Sequence, residues 1–415
     1  MDNKFRGESD MKYETDVVVL GGGGGGMAAA KAADKNGANV ILIEREEENG
    51  GVLNQCIHNG FGIHYYRKDL TGPEFKETLQ EELANTNIKI LNSAFVLNVN
   101  KDKQLTFVNH KGIHEIKTKA LVMATGARER HFNSLAVPGD RVAGIFTAGV
   151  AQKYINLQNL KPANSALIVG SGDIGLIMAR RLHLEGIEVK GVVEILPYPG
   201  GLERNVQQCL RDYNIPLYLS HTVTRVEGNK RLGKVYVSQV DENRQIIPNT
   251  EKIFNVDSLV TSVGLIPLTD PIKFVETGPG FITSNTNQTS EDWIFAAGNC
   301  TVVFDLVDYV SREGEKAGKY AALYAQNQYF PEQKVKVIKG KNINIMHPMY
   351  IDPNERTKLY LRVSKTFKRA EVTVEPLGIK MVEEEARPSE MIEISMKPFK
   401  DKNLKEIEVS ARELG

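Results

Sequence analysis

Two glycine-rich turns, each followed by an acidic residue, carry the clearest chemical signal in this sequence. In the first turn, Gly21, Gly23 and Gly26 have the GxGxxG spacing and follow the apolar run 17–20. The first glycine of such a motif permits a tight turn, the second admits a pyrophosphate to the backbone, and the third lets helix and strand pack closely. Glu44 ends the next apolar run, where it can accept a hydrogen bond from a ribose hydroxyl. The stretch therefore predicts a dinucleotide site.

A second turn repeats this pattern between residues 165 and 194. Its acid, Glu194, matches Glu44 with one added residue, and two copies indicate that one chain binds two dinucleotides. Because an acid at this position accepts from a free 2′-hydroxyl and repels a 2′-phosphate, it favours NAD over NADP. The nearest following arginine, Arg204, lies ten residues on. The matching glycines are Gly170, Gly172 and Gly175.

A helix is expected to follow the first glycine turn. The alanine-rich pattern predicts this helix from about Met27 to Asn36, with Gly37 as its C-terminal stop. Gly24 and Gly25 lie between the spaced glycines, and glycine in a helix costs about 0.5–1 kcal/mol relative to alanine. We therefore expect that Gly24→Pro combined with Gly25→Ala stabilises the protein.

Hydrophobic periodicity predicts further elements along the chain. Residues 1–12 are expected to form a loose extension, and helices are predicted over 71–85 and 311–328. The segment after Pro331 contains alternating apolar and polar residues, which is typical of a small β-rich domain. Strands are predicted at 39–43, 88–98, 104–109, 120–124, 217–226, 235–240, 252–256, 259–267, 358–363 and 370–374.

Composition narrows the class of protein. The chain has 415 residues, enough for two or three domains, and its 52 basic and 52 acidic residues give a net charge of zero. That balance argues against a nucleic-acid surface. No apolar run reaches the ~20 residues of a membrane-spanning helix, and the polar N-terminus lacks a signal-peptide pattern. Cys56, Cys209 and Cys300 form neither a CxxC pair nor a metal-ligand spacing, so a cytoplasmic protein without a metal site is expected.

The order of four motifs resembles that of a known family. The two GxGxxG units, Ala124-Thr125-Gly126 and Ala297-Gly298-Asn299 together resemble the two-dinucleotide-binding-domain flavoproteins, the family of thioredoxin and glutathione reductases. The resemblance implies FAD at the first unit and NAD(H) or NADP(H) at the second. The implied fold class is α/β, with two Rossmann-like domains and a small β-rich C-terminal domain. Its domains are 13–127 and 253–330 for FAD, 128–252 for NAD(H), and 331–415.

Longer segments resemble a narrower group. GGVLNQCIHNGFGIHY, ATGARER and DLVDYVSREGEKAG are similar to the NAD/FAD oxidoreductase associated with anaerobic-type glycerol-3-phosphate dehydrogenase in bacteria. More distantly they are similar to the larger subunits of opine oxidases and hydrogen cyanide synthase. This resemblance implies a partner, a second flavoprotein subunit that oxidises the organic substrate. It leaves the oligomeric state open.

The family resemblance also implies which residues contact each cofactor. Gly298 and Asn299, where the family usually has Asp, are expected beside the ribityl chain. Asp308 and Val310 are expected near the flavin pyrimidine, where a helix N-terminus stabilises negative charge. The implied FAD residues are Gly21, Gly23, Gly26, Glu44, Arg45, Gly51, Asn54, Ala124, Thr125, Gly126, Gly298, Asn299, Asp308 and Val310. The implied NAD residues are Gly170, Gly172, Asp173, Ile174, Gly175, Glu194 and Gly264.

Cys56 and His58 are the candidate catalytic residues, because a thiolate can pair with a flavin and an imidazole can move a proton. The alternative interpretation, a packed thiol and a loop histidine, is favoured slightly because no partner thiol is present. Disulfide reduction needs two thiols and is not expected.

Three functions follow from these observations. The first is an enzyme subunit that transfers a hydride between NAD(H) and FAD and exchanges electrons with a partner dehydrogenase subunit. The second is a self-contained flavin oxidase or dehydrogenase of a small amine, opine or hydroxy acid. The third is a nucleotide-binding structural subunit.

Overall fold

The chain forms two compact units in this computed structural model, which describes residues 12–329, 334–399 and 404–414. The first unit contains the chain up to Ala127 and from Pro267 onward, and the second contains Arg128–Ile266. The extension predicted over 1–12 lies outside the described residues except for Lys12, which begins the first strand. The helices are α1 (Gly24–Lys35), α2 (Gly72–Ala84), α3 (Ala148–Asn156), α4 (Asp173–Leu184), α5 (Glu203–Cys209) and α6 (Val307–Ala325).

The first unit is built on a seven-stranded sheet. Its central strand Lys12–Leu20 pairs in parallel with Val40–Ile43 and with Gly112–Met123. Helices α1 and α6 cover one face of these strands, and apolar residues from 94–116 and 272–300 cover the other. Two antiparallel strands extend the sheet beyond the central strands. The strand order is Lys89–Leu91, Val40–Ile43, Lys12–Leu20, Gly112–Met123, Gln104–Asn109 and Phe95–Val99, and Ile294–Ala296 also pairs with Gly112–Met123.

The single strand predicted over 88–98 is two strands. Lys89–Leu91 pairs in parallel with Val40–Ile43, whereas Phe95–Val99 pairs antiparallel with Gln104–Asn109. The two strands lie at opposite ends of the strand order, and Ser93 between them has a positive φ of 52°. Sequence periodicity does not detect a break at one serine in a left-handed conformation.

Helices α1 and α6 pack with their backbones in contact. Both Gly314 and Gly318 of α6 are buried. A Cβ atom at Gly314 would collide with the carbonyl of Gly25, and one at Gly318 would collide with the carbonyl of Ala29. Because the side chains at a helix contact set the distance between helix axes, these small residues permit the close approach.

The second unit contains a five-stranded parallel sheet. Its strand order is Ile145–Thr147, Ser258–Thr261, Ser165–Val169, Glu188–Val193 and Leu217–Tyr218. The strands predicted at 235–240 and 252–256 overlap Leu232–Gln239 and Lys252–Asn255, which pair antiparallel. The strand predicted over 217–226 is two strands, Leu217–Tyr218 in the parallel sheet and His221–Gly228 paired antiparallel with Leu232–Gln239.

The domain boundary predicted at 252 needs correction. Ser258–Thr261 pairs with Ile145–Thr147 on one side and with Ser165–Val169 on the other. The second unit therefore continues to Ile266. A buried apolar strand does not indicate by its sequence which of two parallel sheets it joins.

The C-terminal region is rich in β-strands, as predicted, and it belongs to the first unit. Predicted strands at 358–363 and 370–374 coincide with Thr357–Val363 and Arg369–Glu375. One sheet has the order Tyr350–Ile351, Val335–Lys339, Glu406–Glu413, Arg369–Glu375 and Ile379–Glu384, and the other has Ile343–His347, Thr357–Val363 and Ile392–Met396.

A buried carboxylate joins α6 to this region. Glu313 Oε1 accepts a hydrogen bond from Lys316 Nζ at 2.8 Å, and Oε2 accepts from Asn287 Nδ2 at 3.0 Å. His347 Nε2 lies 3.6 Å from the same Oε2. Burial alone would raise the pKa of Glu313, but Lys316 and His347 favour the charged form and lower it to about 2.

We expect Gly318→Ala to destabilise the first unit, because its methyl group would meet the backbone of α1 rather than a movable side chain. Overpacking of this kind costs about 1–3 kcal/mol. Thermal and urea unfolding measure the effect. The matched control is Gly278→Ala, whose methyl group would make ordinary contact with Ile282 at 3.8 Å. Equal stability of the two variants would contradict the backbone contact.

Candidate functional site

The first glycine turn connects the strand Lys12–Leu20 to α1. Gly21 has a φ of 106°, and Gly23 is the N-cap of the helix. A Cβ atom at Gly26 would collide with the carbonyl oxygen of Gly21, so this glycine permits the helix to approach the strand. No described atom lies within 4 Å of a Cβ placed at Gly23. This space lies at the N-terminus of α1, where unpaired N–H groups favour phosphate binding.

Glu44 lies beside the turn and is buried. Its Oε2 accepts a hydrogen bond from Gly22 N at 2.6 Å, and its Oε1 accepts from Glu46 N at 2.9 Å. A carboxylate has about four acceptor positions, so the acid retains capacity for ribose hydroxyls. The neighbouring Arg45 is exposed, and its guanidinium lies 3.5 Å from Glu46.

Two buried polar atoms near this turn lack hydrogen-bond partners among the described residues. They are Asn49 Oδ1 and Ser311 Oγ. The Asn49 side chain occupies the space beside Gly22, and Ser311 Oγ would lie 3.5 Å from a Cβ at Gly24. An unsatisfied buried polar group costs about 1–3 kcal/mol, so both atoms fit a polar ligand such as FAD. Nothing in the sequence pattern identified either residue.

Most other predicted FAD residues lie around the turn. Gly51 would place a Cβ 3.6 Å from Gly23 Cα, and the carbonyl of Ala124 contacts Gly21. The side chains of Thr125 and Asn54 form hydrogen bonds to backbone carbonyls. Thr125 Oγ1 donates to Leu268 O at 2.6 Å, and Asn54 Nδ2 donates to Asn49 O at 3.1 Å. Gly126 has a φ of 72°, and no described atom would contact its Cβ.

The N-terminus of α6 is adjacent to the first turn. The side chain of Val310 would contact a Cβ at Gly25 or at Gly298, in each case at 2.9 Å. No described side chain caps this end of α6. Its backbone therefore adds a second positive helix terminus beside α1.

Two predicted side chains in this region bind protein backbone. The buried Asp308 carboxylate accepts hydrogen bonds from the N–H groups of Gly62, His64 and Tyr65 at 3.2, 2.8 and 2.7 Å. Asn299 Oδ1 accepts from Phe304 N at 3.0 Å. Each side chain therefore fixes a loop next to α6, and the flavin contacts expected of them remain predictions.

The second glycine turn has the same geometry. Gly170 has a φ of 96°, and Gly172 is the N-cap of α4. A Cβ at Gly175 would collide with the carbonyl of Gly170. The structure describes no atom within 4 Å of a Cβ at either Gly172 or Gly264. The turn therefore leaves room for a second pyrophosphate.

The carboxylate of Glu194 accepts three hydrogen bonds, and that of Glu44 accepts two. Its Oε2 accepts from Ser171 N at 2.9 Å and from Ser171 Oγ at 2.6 Å, while Oε1 accepts from Leu196 N at 3.0 Å. One acceptor position remains for a ribose hydroxyl. Of the other predicted residues, Asp173 binds Leu202 N at 2.8 Å, and the Ile174 side chain is exposed.

The internal repeat extends beyond the two acids. Six residues after each acid the chain has a glycine pair, Gly50-Gly51 and Gly200-Gly201. Gly50 N donates to Gly22 O at 2.8 Å, and Gly200 N donates to Ser171 Oγ at 2.8 Å. Each pair returns the chain to its own glycine turn. The sequence contains this signal, but an alignment that stops at the acid misses it.

The three cysteines are free, and burial raises the pKa of each. For Cys56 the pKa rises to about 12, and for Cys209 and Cys300 to about 11. Cys300 Sγ donates to the carbonyls of Met123 and Ala297, each at 3.2 Å. His58 Nδ1 lies 3.0 Å from Asn59 O. A raised pKa disfavours the thiolate, which supports the interpretation of Cys56 as a packed thiol.

Comparison with known proteins identifies the family. Residues 15–317 match the pyridine nucleotide-disulphide oxidoreductase family. The chain belongs to this family. Its α/β fold, its oxidoreductase class and its FAD and NAD(P) cofactors are thereby confirmed. The fold is similar to that of thioredoxin reductase from T. acidophilum, with a TM-score of 0.60 and 22% identity over 76% of this chain and 99% of that one.

Several curated relatives match about half of the chain. The hydrogen cyanide synthase protein HcnB of Pseudomonas aeruginosa is 28% identical over 51% of this chain and 49% of its own. An NADH oxidase of Methanocaldococcus jannaschii is 27% identical over 57% and 54%. An opine oxidase subunit of Agrobacterium tumefaciens is 24% identical over 51% and 44%. The chain thus spans about half the length of these relatives.

The broad resemblance to the two-domain flavoproteins is confirmed, and so is the similarity to the opine oxidase and hydrogen cyanide synthase subunits. Within the described ranges, no helix has the length and apolar character needed to cross a membrane.

The contacts of Gly24 and Gly25 argue against the stabilisation expected for Gly24→Pro with Gly25→Ala. New atoms at Gly24 and Gly25 would lie 2.9 Å from Val307 Cγ2 and Val310 Cγ1, and valine is stiff at χ1. We expect the apo double mutant to lose about 1–3 kcal/mol and to bind FAD more weakly. Apo melting temperature and FAD titration measure both effects. A higher melting temperature with unchanged FAD affinity would restore the original expectation.

Cys56→Ser tests the catalytic interpretation of this thiol. Because burial keeps Cys56 protonated, we expect the variant to reduce its flavin with the nicotinamide cofactor at nearly the parental rate. Stopped-flow absorbance of the flavin measures this rate, and a melting curve checks the fold. A loss of a hundredfold, roughly 3 kcal/mol of barrier, would instead make Cys56 catalytic.

Proposed function

We propose that this protein transfers a hydride between NAD(H) and FAD and exchanges electrons with a separate dehydrogenase subunit. The observation that carries the proposal is the presence of two glycine-turn sites in two different units, each with its own acid and an open helix N-terminus. Bound FAD and NAD supply the hydride chemistry, and the protein supplies binding and orientation. The isolated, protonated cysteines give no support to a disulfide reductase.

The first unit is proposed to bind FAD through the turn around Gly23. The N-terminus of α1 would take the pyrophosphate, and Glu44 would accept from a ribose hydroxyl. The uncapped N-terminus of α6, next to Gly298, would stabilise negative charge on the flavin. Asn49 Oδ1 and Ser311 Oγ would gain the partners that they lack among the described residues.

The second unit is proposed to prefer NAD(H). Glu194 is buried next to the turn, and its charge would repel a 2′-phosphate. The nearest following arginine, Arg204, is exposed in the first turn of α5. An exposed arginine is screened by solvent, so the buried acid should dominate the choice of cofactor.

A partner subunit is proposed from the relatives. Two of them are named as subunits, HcnB of hydrogen cyanide synthase and the matched chain of opine oxidase. The segments around Cys56 and after Asp305 resemble the flavoprotein associated with anaerobic-type glycerol-3-phosphate dehydrogenase. The finer proposal is therefore a cytoplasmic complex whose second subunit oxidises glycerol 3-phosphate.

Anaerobic reduction of the bound flavin tests the proposal. We expect NADH to bleach the flavin spectrum at least about tenfold faster than NADPH at equal subsaturating concentration, about 1.4 kcal/mol of discrimination. Glu194→Gln should reduce this preference. The matched control is Glu203→Gln. Glu203 is an exposed acid at the start of α5, and it forms an ion pair with Arg211. Bleaching by an amine, opine or hydroxy acid alone would favour a self-contained enzyme, and faster reduction by NADPH would refute the NAD assignment.

A further inference from the structure

Ser171 occupies the position between the first two glycines of the second turn. It is fully buried. Its Oγ donates to Glu194 Oε2 at 2.6 Å and accepts from Gly200 N at 2.8 Å. Its backbone N–H donates to the same carboxylate oxygen at 2.9 Å. One serine therefore joins the glycine turn, the acid and the returning glycine pair.

The first turn is also joined to its acid and to its returning glycine pair, but without a serine side chain. Its equivalent residue, Gly22, donates its N–H to Glu44 Oε2 at 2.6 Å. The returning Gly50 N bonds to the carbonyl of Gly22 rather than to a hydroxyl. The Asn49 side chain fills the space that a Cβ at Gly22 would need. The serine hydroxyl is thus a particular feature of the second site and not a requirement of the fold.

The segment that follows Glu194 is also held at its far end. Asp173 Oδ1 accepts from Leu202 N at 2.8 Å and from Asn205 Nδ2 at 2.6 Å. The corresponding residue of the first turn is Gly24, which has no side chain. Ser171 and Asp173 therefore hold both ends of 195–202 by hydrogen bonds within the protein.

We propose that Ser171 is a positioning residue that fixes Glu194 for a dinucleotide with a free 2′-hydroxyl, and thereby determines selectivity for NAD over NADP. This inference rests on the proposed NAD site. With Oε2 occupied by Ser171 and Oε1 by Leu196, the one remaining acceptor position of Glu194 has a fixed direction. Organisation before binding reduces the ordering cost of the favoured ligand.

The same restraint acts against the wrong ligand. A carboxylate held in one place cannot turn away from a 2′-phosphate, so it keeps its repulsion at short range. Without the Ser171 hydroxyl, Oε2 keeps only one backbone donor, and the acid gains freedom to rotate. Attraction for NAD then weakens, while repulsion of NADP weakens as well. The ratio of the affinity for NAD to the affinity for NADP should therefore change more than the free energy of unfolding of the second unit.

The test measures equilibrium binding to the oxidised holoprotein, using NAD⁺ and NADP⁺ as separate probes in titration calorimetry. For Ser171→Ala we expect NAD⁺ to bind about tenfold more weakly, which corresponds to about 1.4 kcal/mol. NADP⁺ should change less than about twofold, because lost restraint and lost repulsion offset each other. Ser171→Gly, which recreates the residue of the first turn, should behave in the same way.

The control is Thr250→Ala in the same unit. Its exposed hydroxyl also accepts one backbone N–H and donates to one carbonyl, with distances of 3.0 and 2.7 Å. It should leave both affinities unchanged. A normal NAD⁺ affinity in Ser171→Ala would overturn the inference, as would equal weakening of both ligands. A parent protein that favours NADP⁺ would instead overturn the proposed NAD site, whatever the serine variants do.

Discussion

The contact between the backbones of α1 and α6 is the constraint on which the first unit depends. Gly314 and Gly318 press against the carbonyls of Gly25 and Ala29, with no room for a methyl group at either glycine. This approach brings the start of α6 against the start of α1, where Val310 contacts Gly25. Two positive helix ends therefore converge on one place. An anionic, phosphate-bearing cofactor is the ligand that such a place favours.

On its other side, helix α6 carries a buried carboxylate, that of Glu313, with polar and charged neighbours. Glu313 binds Lys316 and Asn287 and lies near His347, so a buried carboxylate connects the helix to the C-terminal strands. Removing one member of a buried charged group leaves the others without compensation. Small residues on one side and paired charges on the other thus fix α6 in position. The C-terminal region therefore contacts α6, whose N-terminus lies beside the first glycine turn.

Sequence patterns predicted the chemistry of the two turns better than their detailed structure. The spaced glycines and the two acids lie where the motif places them. In each turn the first glycine has a positive φ, the third permits close packing, and the second leaves open space at the helix N-cap. The predicted start of α1 at Met27 was late, since propensity disfavours a helix that begins on Gly24. Tertiary contact with α6 outweighs that preference. Asn49 and Ser311 were missed, although they lie within two residues of the predicted Gly51 and Val310, because neither belongs to a motif position.

The two turns arise from one repeated pattern but are closed by different means. In the first, positions 22 and 24 are glycines, and closure depends on backbone hydrogen bonds of Gly22 and on packing against α6. In the second, Ser171 and Asp173 make the closure with their own side chains. The second turn is thereby organised within its own unit, without a long helix supplied from elsewhere in the sequence. A site that must release and rebind its dinucleotide benefits from such local order, because each binding event avoids the cost of ordering a loop. A site that keeps its cofactor can instead be completed by a helix almost three hundred residues further along the chain, since Val307 follows Gly24 by 283 residues.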